Sequence, residues 1–366
     1  MEQLSVTAQT IYAELLQQIR DAEFDDQFPP NGSFVTKTQK DRKYWYYEGY
    51  ETTSGGVTES RKYSKYVGKH GDPEIDKRVA EFKRRKSTYR ERRALVTSLT
   101  SFGLPSPPTF VGDLVEALWQ AGIFRLRGVL VGTTAYQAYA AALGVRLPSA
   151  SMQTNDIDIA QDHGISMSIG DTLPPMLETL QSVDDTFRER PNLENTATAY
   201  ANAKNFQVEF LTPNRGSDDH IGHPSPMPAL GGAAAQNLRH LDFLIKEPIH
   251  AALLHKAGVG VNVPAPERYC VHKLIVSVLR HEDDVGIAKE TKDLHQAGAL
   301  AEALTLASRG EDLGFAWMEA WDRGPRWREH LRHGFARLKD EEKKLFNGAI
   351  TKACEVDNKQ PDTYCP

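Results

Sequence analysis

Hydrophobic positions change period several times along this chain. In the opening MEQLSVTAQTIYAELLQQIRDAEFDD, Leu4, Ile11, Leu15, Leu16 and Ile19 recur at helical spacing and predict an amphipathic helix. After the turn PPNGSF, the stretches FVTKTQKDRKYWYYEGYETTSGG and VTESRKYSKYVGKHGDP are short, aromatic and β-prone, with polar turns at KDRK and TTSGG. They predict a small antiparallel meander. Pro73 then opens a helix predicted from about Glu74 to Thr100, whose segment EFKRRKSTYRERR is densely basic. LPSPPTF, residues 104–110, reads as a linker.

Beyond the linker the pattern alternates: helix VGDLVEALWQAGIF, strand GVLVG, helix TTAYQAYAAALG starting near Ala135, and strand NDIDIA. Helix TLPPMLETLQSV, a variable stretch and strand NFQVEFL follow, an α/β order. From about Pro264 the chain reads as three amphipathic helical segments: PERYCVHKLIVSVLRH, DVGIAKETKDLHQAGALAEALTLAS and PRWREHLRHGFARLKDEEKKLFNGAI. The tail DNKQPDTYCP reads as frayed. The predicted organisation is an N-terminal region, 1–103, an α/β core, 110–263, and a helical domain, 264–366.

Composition narrows the class. The chain has 366 residues, 40% hydrophobic and 25% charged, as expected of a soluble globular protein with more than one core. No run of about 18 apolar residues predicts a membrane span, and the N-terminus lacks signal-peptide character. Cys270, Cys354 and Cys365 have neither metal-ligand spacing nor a disulfide pattern, which fits a reducing cytoplasm. Charge is uneven: residues 36–93 hold 17 Lys and Arg against 9 Asp and Glu, and the remainder 27 against 40. A basic block on an acidic body suits an anionic partner, or is simply a solvated surface. Tyr44, Trp45, Tyr46, Tyr47 and Tyr50, interleaved with Lys37, Lys40, Arg42 and Lys43, can stack on bases while meeting phosphates. They can equally pack against a neighbouring helix.

Three features of the core belong together chemically. Strand GVLVG ends at Gly132, followed by Thr133, Thr134 and a helix, whose free N–H groups and partial positive charge suit a phosphate. In TNDIDIA, Asp156 and Asp158 alternate with isoleucines, so both carboxylates share one strand face about 7 Å apart. In NFQVEFL, Glu209 stands between Val208 and Phe210, costly in a core strand unless paired or ligating a cation. Three carboxylates can bridge two magnesium ions, which hold a nucleoside triphosphate and stabilise the attacking and leaving oxygens of an in-line displacement.

These residues resemble the signature of the polymerase-β-like nucleotidyltransferase superfamily: Gly132-Thr133 after an apolar strand, then Thr154 to Ile159, then Val208-Glu209-Phe210. LVGTTAYQAYAAALG, VEFLTPNRG and VPAPERYCVHKLIVSVLR followed by KETKDL resemble a bacterial nucleotidyltransferase-like group, distantly similar to AbiEii-type toxin nucleotidyltransferases. The resemblance spans roughly residues 110–300 and implies a small mixed sheet flanked by helices, then a helical domain closing over the nucleotide. By it, Gly132 and Thr133, with Thr134 adjacent, hold the triphosphate, and Asp156, Asp158 and Glu209 bind Mg²⁺, with Mn²⁺ as the alternative. Lys273 reaches the phosphates, while Lys289, Lys292 and Asp293 lie on a helix that contacts the nucleotide. The pattern departs in two places: Thr133 replaces the usual serine, and about two dozen residues separate Gly132 from Asp156, so VRLPSASMQT must loop out.

Other features point less far. Arg215 in TPNRG either reaches the triphosphate or is a solvated turn residue. Asp218, Asp219, His220 and His223 form a loop group that is a zinc site or plain polarity. His250, His255 and His272 lack regular partner spacing, and His272 reads as a core residue. Neither a nucleophile elbow nor a Walker motif is present. Transfer of a nucleoside monophosphate from an NTP to an acceptor hydroxyl is the expected activity, with RNA or tRNA, a protein or a small molecule as acceptor. A toxin restrained by an antitoxin protein is the associated biology. The alternative is an idle scaffold of the same fold that binds nucleic acid or protein.

Overall fold

The structure is a computed structural model. It describes residues 1–22, 33–39, 42–52, 60–148, 155–169, 171–191, 196–214, 223–280 and 284–366. Arg215, Asp218, Asp219, His220, Lys40 and most of the VRLPSASMQT loop lie outside the described residues.

The N-terminal region comprises β1 (Glu2–Gln3), α1 (Val6–Ala22), β2 (Ser33–Gln39), β3 (Arg42–Thr52), β4 (Ser60–Lys69) and α2 (Pro73–Ser101). Strands β2, β3 and β4 form the expected antiparallel meander. Strand alternation divides its aromatics. Phe34, Trp45 and Tyr47 turn onto Val79 and Phe82 of α2 and make a small separate core, with Phe34 edge-on to Phe82 at 4.9 Å. Tyr44 and Tyr46 therefore stand on the opposite face. Helix α1 and the far end of α2 belong to the main core instead: Leu15, Ile19, Val96 and Leu99 are buried there. The Tyr12 hydroxyl accepts the Ala252 N–H at 3.1 Å.

The middle of the chain comprises α3 (Thr109–Ala121), β5 (Val129–Val131), α4 (Gly132–Leu143), β6 (Val145–Arg146), β7 (Asp156–Ala160), α5 (His163–Ser168) and α6 (Met176–Gln181). It continues with β8 (Arg188–Pro191), β9 (Ala197–Ala201), β10 (Gln207–Pro213), β11 (Ser225–Pro226), β12 (Ala234–Leu238), α7 (Leu241–Leu244), β13 (Ile249–Leu253) and β14 (Val259–Val263). Strand β7 lies between antiparallel β5 and parallel β10. The other edge of β10 is shared lengthwise: its first residues pair antiparallel with β9 and its last residues parallel with β12. Strand β8 extends the sheet beyond β9, and β11 beyond β12. This is a mixed sheet with helices, the α+β class expected. Ile157, Ile159, Val208 and Phe210 are fully buried, which fixes the register and leaves the intervening carboxylates on the other face.

The C-terminal region holds five helices among the described residues: α8 (Pro266–Val278), α9 (Asp284–Leu306), α10 (Gly310–Asp322), α11 (Pro325–Ala336) and α12 (Asp340–Val356). The sequence suggested three segments. Helix α10 was not separated, and the long last segment breaks after Leu338, where Glu342 accepts the Lys339 N–H in a capping box. Trp317, Phe346, Leu331 and Leu274 fill the centre of the bundle. Among the described residues, no helix is long and apolar enough to cross a membrane.

Candidate active site

A short buried strand, β5, runs straight into α4, which starts at Gly132 itself, three residues before the position suggested by sequence. Residues 132–134 are therefore the first turn of the helix, where backbone N–H groups lack intrahelical partners. Gly132 has φ of 67°, in the left-handed region, and a Cβ there would sit 2.4 Å from Oδ2 of Asp158. Thr133 lines the adjoining cleft. Thr134 is 1% exposed, its hydroxyl is buried without a hydrogen-bond partner among the described residues, and it does not line the cleft.

The carboxylates converge by register. Asp158 pairs with Val131 of β5 on one side and with Glu209 of β10 on the other. Asp156 is two residues along the same strand, so all three acidic side chains share one face beside the Gly132 turn. Burial, then the neighbouring charges of Asp156 and Glu209, push Asp158 up to about 7, although Lys273 and Lys289 act in the opposite sense. Burial and Asp156 also raise Glu209, against Lys289 and Arg190. The three carboxylates are not drawn into a tight cluster: among the described residues, only Asp113, Glu116 and His255 bring three ligating atoms within 4.8 Å of one another.

That second group differs in kind. Its carboxylates already hold an ammonium: Lys256 Nζ lies 2.7 Å from Asp113 and 2.6 Å from Glu116, and His255 Nε2 meets Asp113 at 2.8 Å. It is an internal ion-pair cluster tying α3 to the turn between β13 and β14. His223 belongs to no such group among the described residues, and Asp218, Asp219 and His220 of the same loop lie outside them.

Helices α8 and α9 supply the cations opposite the triad. Lys273 is buried, with Nζ 2.5 Å from Asp293 Oδ1 and 5.1 Å from the centre of the Tyr269 ring. Arg280 grips the other oxygen of Asp293 through Nε at 2.9 Å and Nη2 at 2.7 Å. Burial alone would raise Asp293, but Lys273 and Arg280 hold it below the usual carboxylate range. Lys289 is exposed and Lys292 half-buried on α9. Burial and the charge of Lys273 lower Lys292. The Tyr269 hydroxyl lies 2.9 Å from the Gly132 carbonyl and so joins α8 to the turn at the start of α4. His272 is half-buried and lines the cleft; burial and the neighbouring cations bring its pKa down to about 3, so it is neutral.

Sheet face, turn and helices enclose a cleft of about 1900 Å³. Gly132, Thr133, Asp156, Asp158, Glu209, Lys273, Lys289 and Lys292 all line it. Sequence reading missed Tyr269 and Arg280. Their signal was spacing: Tyr269, Lys273 and Arg280 fall at i, i+4 and i+11, one face of a helix and its continuation. It also missed Arg190, which stands in the cross-strand row of Ala199, Glu209 and Asp158.

Three hard oxygen donors lining one cleft fit a divalent cation, and burial first, then neighbouring negative charge, raises Asp158 and Glu209. Comparison with curated proteins and with solved structures gives no significant match. A family described as Nucleotidyltransferase matches residues 109–322, more than half of the chain and the whole of the sheet and cleft just described. The chain belongs to this nucleotidyltransferase family, whose general activity is transfer of a nucleoside monophosphate and whose members generally use a divalent metal.

Proposed function

We propose that the protein transfers a nucleoside monophosphate from an NTP to an acceptor hydroxyl, with release of pyrophosphate. Asp156, Asp158 and Glu209 would hold Mg²⁺, or Mn²⁺ in its place. When bound, the metal neutralises the triphosphate and stabilises charge on the attacking and leaving oxygens. The first turn of α4, with Gly132 and Thr133, receives phosphate oxygens on free N–H groups. Lys273, Lys289 and Lys292 offset the remaining negative charge. The acceptor oxygen attacks the α-phosphorus in line, the bond to the β-phosphate oxygen breaks, and the acceptor proton passes to the Glu209 carboxylate.

The observation that carries this reading is the shared face of Asp156, Asp158 and Glu209 beside the Gly132 turn. An RNA acceptor, tRNA included, is favoured by the basic N-terminal region. A toxin role under an antitoxin rests on the sequence resemblance alone. Incubation with α-labelled NTPs, Mg²⁺ and total RNA or lysate tests the activity. Label transfer by the wild type and none by Asp158→Ala is expected; equal labelling by both would overturn the proposal.

A further inference from the structure

The N-terminal sheet has two unlike faces, and the outer one fits a specific class of ligand. We propose that the face carrying Tyr44 and Tyr46 binds single-stranded RNA and presents it as the acceptor strand. This rests on the nucleotidyl-transfer reading only for the word acceptor; the binding itself stands apart from it.

Phe34, Trp45 and Tyr47 are committed to α2, where they seal the small core with Val79 and Phe82. Tyr44 and Tyr46 face the other way, two residues apart on β3, so their rings stand about 7 Å apart along the strand. Both are half-buried rather than sealed. Lys37 lies over the Tyr46 ring at 4.9 Å and is tied to Glu48 at 3.0 Å, which orders the ring from one side. Lys69, paired in register with Tyr44, is exposed. Aromatic rings beside cations on a sheet face are a stacking surface for unpaired bases, whose flat faces are hidden in a duplex. Charge agrees: residues 36–93 hold 17 Lys and Arg against 9 Asp and Glu, while the body is acidic.

One helix carries both the sheet and an anchor in the main core. Val79 and Phe82 seat the sheet near the start of α2, whereas Val96 and Leu99 anchor the helix in the main core. At 1.5 Å per residue these anchor points lie about 25 Å apart along the helix.

The test is fluorescence anisotropy of a 5′-labelled, mixed-sequence single-stranded RNA of about 12 nucleotides, titrated with the full chain. Tyr44→Ala and Tyr46→Ala should each weaken binding about tenfold or more, as loss of one stacked base does. Tyr44→Phe with Tyr46→Phe should keep it, with circular dichroism unchanged in every variant. Lys69→Ala should lower the salt slope of log Kd by about 1. Unchanged binding by the double alanine variant, or equal binding of a duplex of the same sequence, would overturn the proposal. Mg·NTP affinity of the double alanine variant, measured in parallel, should equal that of the wild type. Its loss together with RNA binding would mean a global defect and count against a separate platform. Failure of the wild type to bind Mg·NTP while RNA binding persists would overturn the transfer reading and leave this one standing.

Discussion

A Cβ added to Gly132 would lie 2.4 Å from Oδ2 of Asp158, so the turn at the start of α4 and the acidic strand are in contact without room for one methyl group. Gly132→Ala should therefore do two things. The left-handed backbone at φ 67° costs a non-glycine residue about 1–2 kcal/mol, and the methyl group must displace the carboxylate. Thermal denaturation should show a modest loss of stability, and Mg·NTP affinity should fall at least about tenfold, the equivalent of 1.4 kcal/mol. Wild-type affinity in a folded Gly132→Ala protein would mean that the turn does not work with Asp158.

Asp158 is held at about 7, against an ordinary value of 3.8. Between those values the folded protein binds more protons than the unfolded chain, so this group stabilises the fold below 3.8 and the contribution is lost as pH rises through 7. In EDTA, the wild-type Tm should fall relative to that of Asp158→Asn between about pH 4 and 7, and added Mg²⁺ should reduce the difference at the upper end. Parallel Tm curves for the two proteins would contradict the raised proton affinity of Asp158.

Asp293 is 2% exposed and satisfies both Lys273 and Arg280. Asp293→Asn leaves a buried ammonium without its anion and should cost about 3–5 kcal/mol, as breaking buried pairs does. Urea denaturation measures this. Lys273→Met combined with Asp293→Leu should recover most of the stability but not NTP binding, because Lys273 also faces the triad. Recovery of both would make the pair purely structural.

The Tyr269 hydroxyl lies 2.9 Å from the Gly132 carbonyl and 3.0 Å from Oε1 of Gln296. Tyr269→Phe should cost about 1 kcal/mol and raise the KM for NTP several-fold, with kcat little changed, since the hydroxyl positions the turn rather than touching the reacting atoms. A fall in kcat with constant KM would argue for direct participation instead.

How much was legible beforehand follows from the periods involved. Asp156, Asp158 and Glu209 could be placed on one face because a strand alternates with period two and flanking isoleucine, valine and phenylalanine mark the buried side. Helix α2 was read to within a residue at each end because its helical pattern starts at a proline. Strands β12, β13 and β14 were missed: alanines in AAQNL and IHAAL favour helix locally, and pairing alone makes them strands. The pairing of Lys273 with Asp293 was hidden as well, because it depends on how α8 packs against α9 rather than on spacing within either helix. The meander left two readings open for its aromatics, and the register divides them: Trp45 and Tyr47 pack on α2, Tyr44 and Tyr46 do not.

Titration of the protein with Mn²⁺ in the presence of a non-hydrolysable NTP, followed by electron paramagnetic resonance, tests the convergence of the three carboxylates most directly. Nucleotide-dependent Mn²⁺ binding is expected in the wild type and should be lost in Asp156→Asn, Asp158→Asn and Glu209→Gln alike, with each variant folded. Wild-type Mn²⁺ binding by Glu209→Gln would show that the strand β10 carboxylate does not share the ion, and would contradict the account.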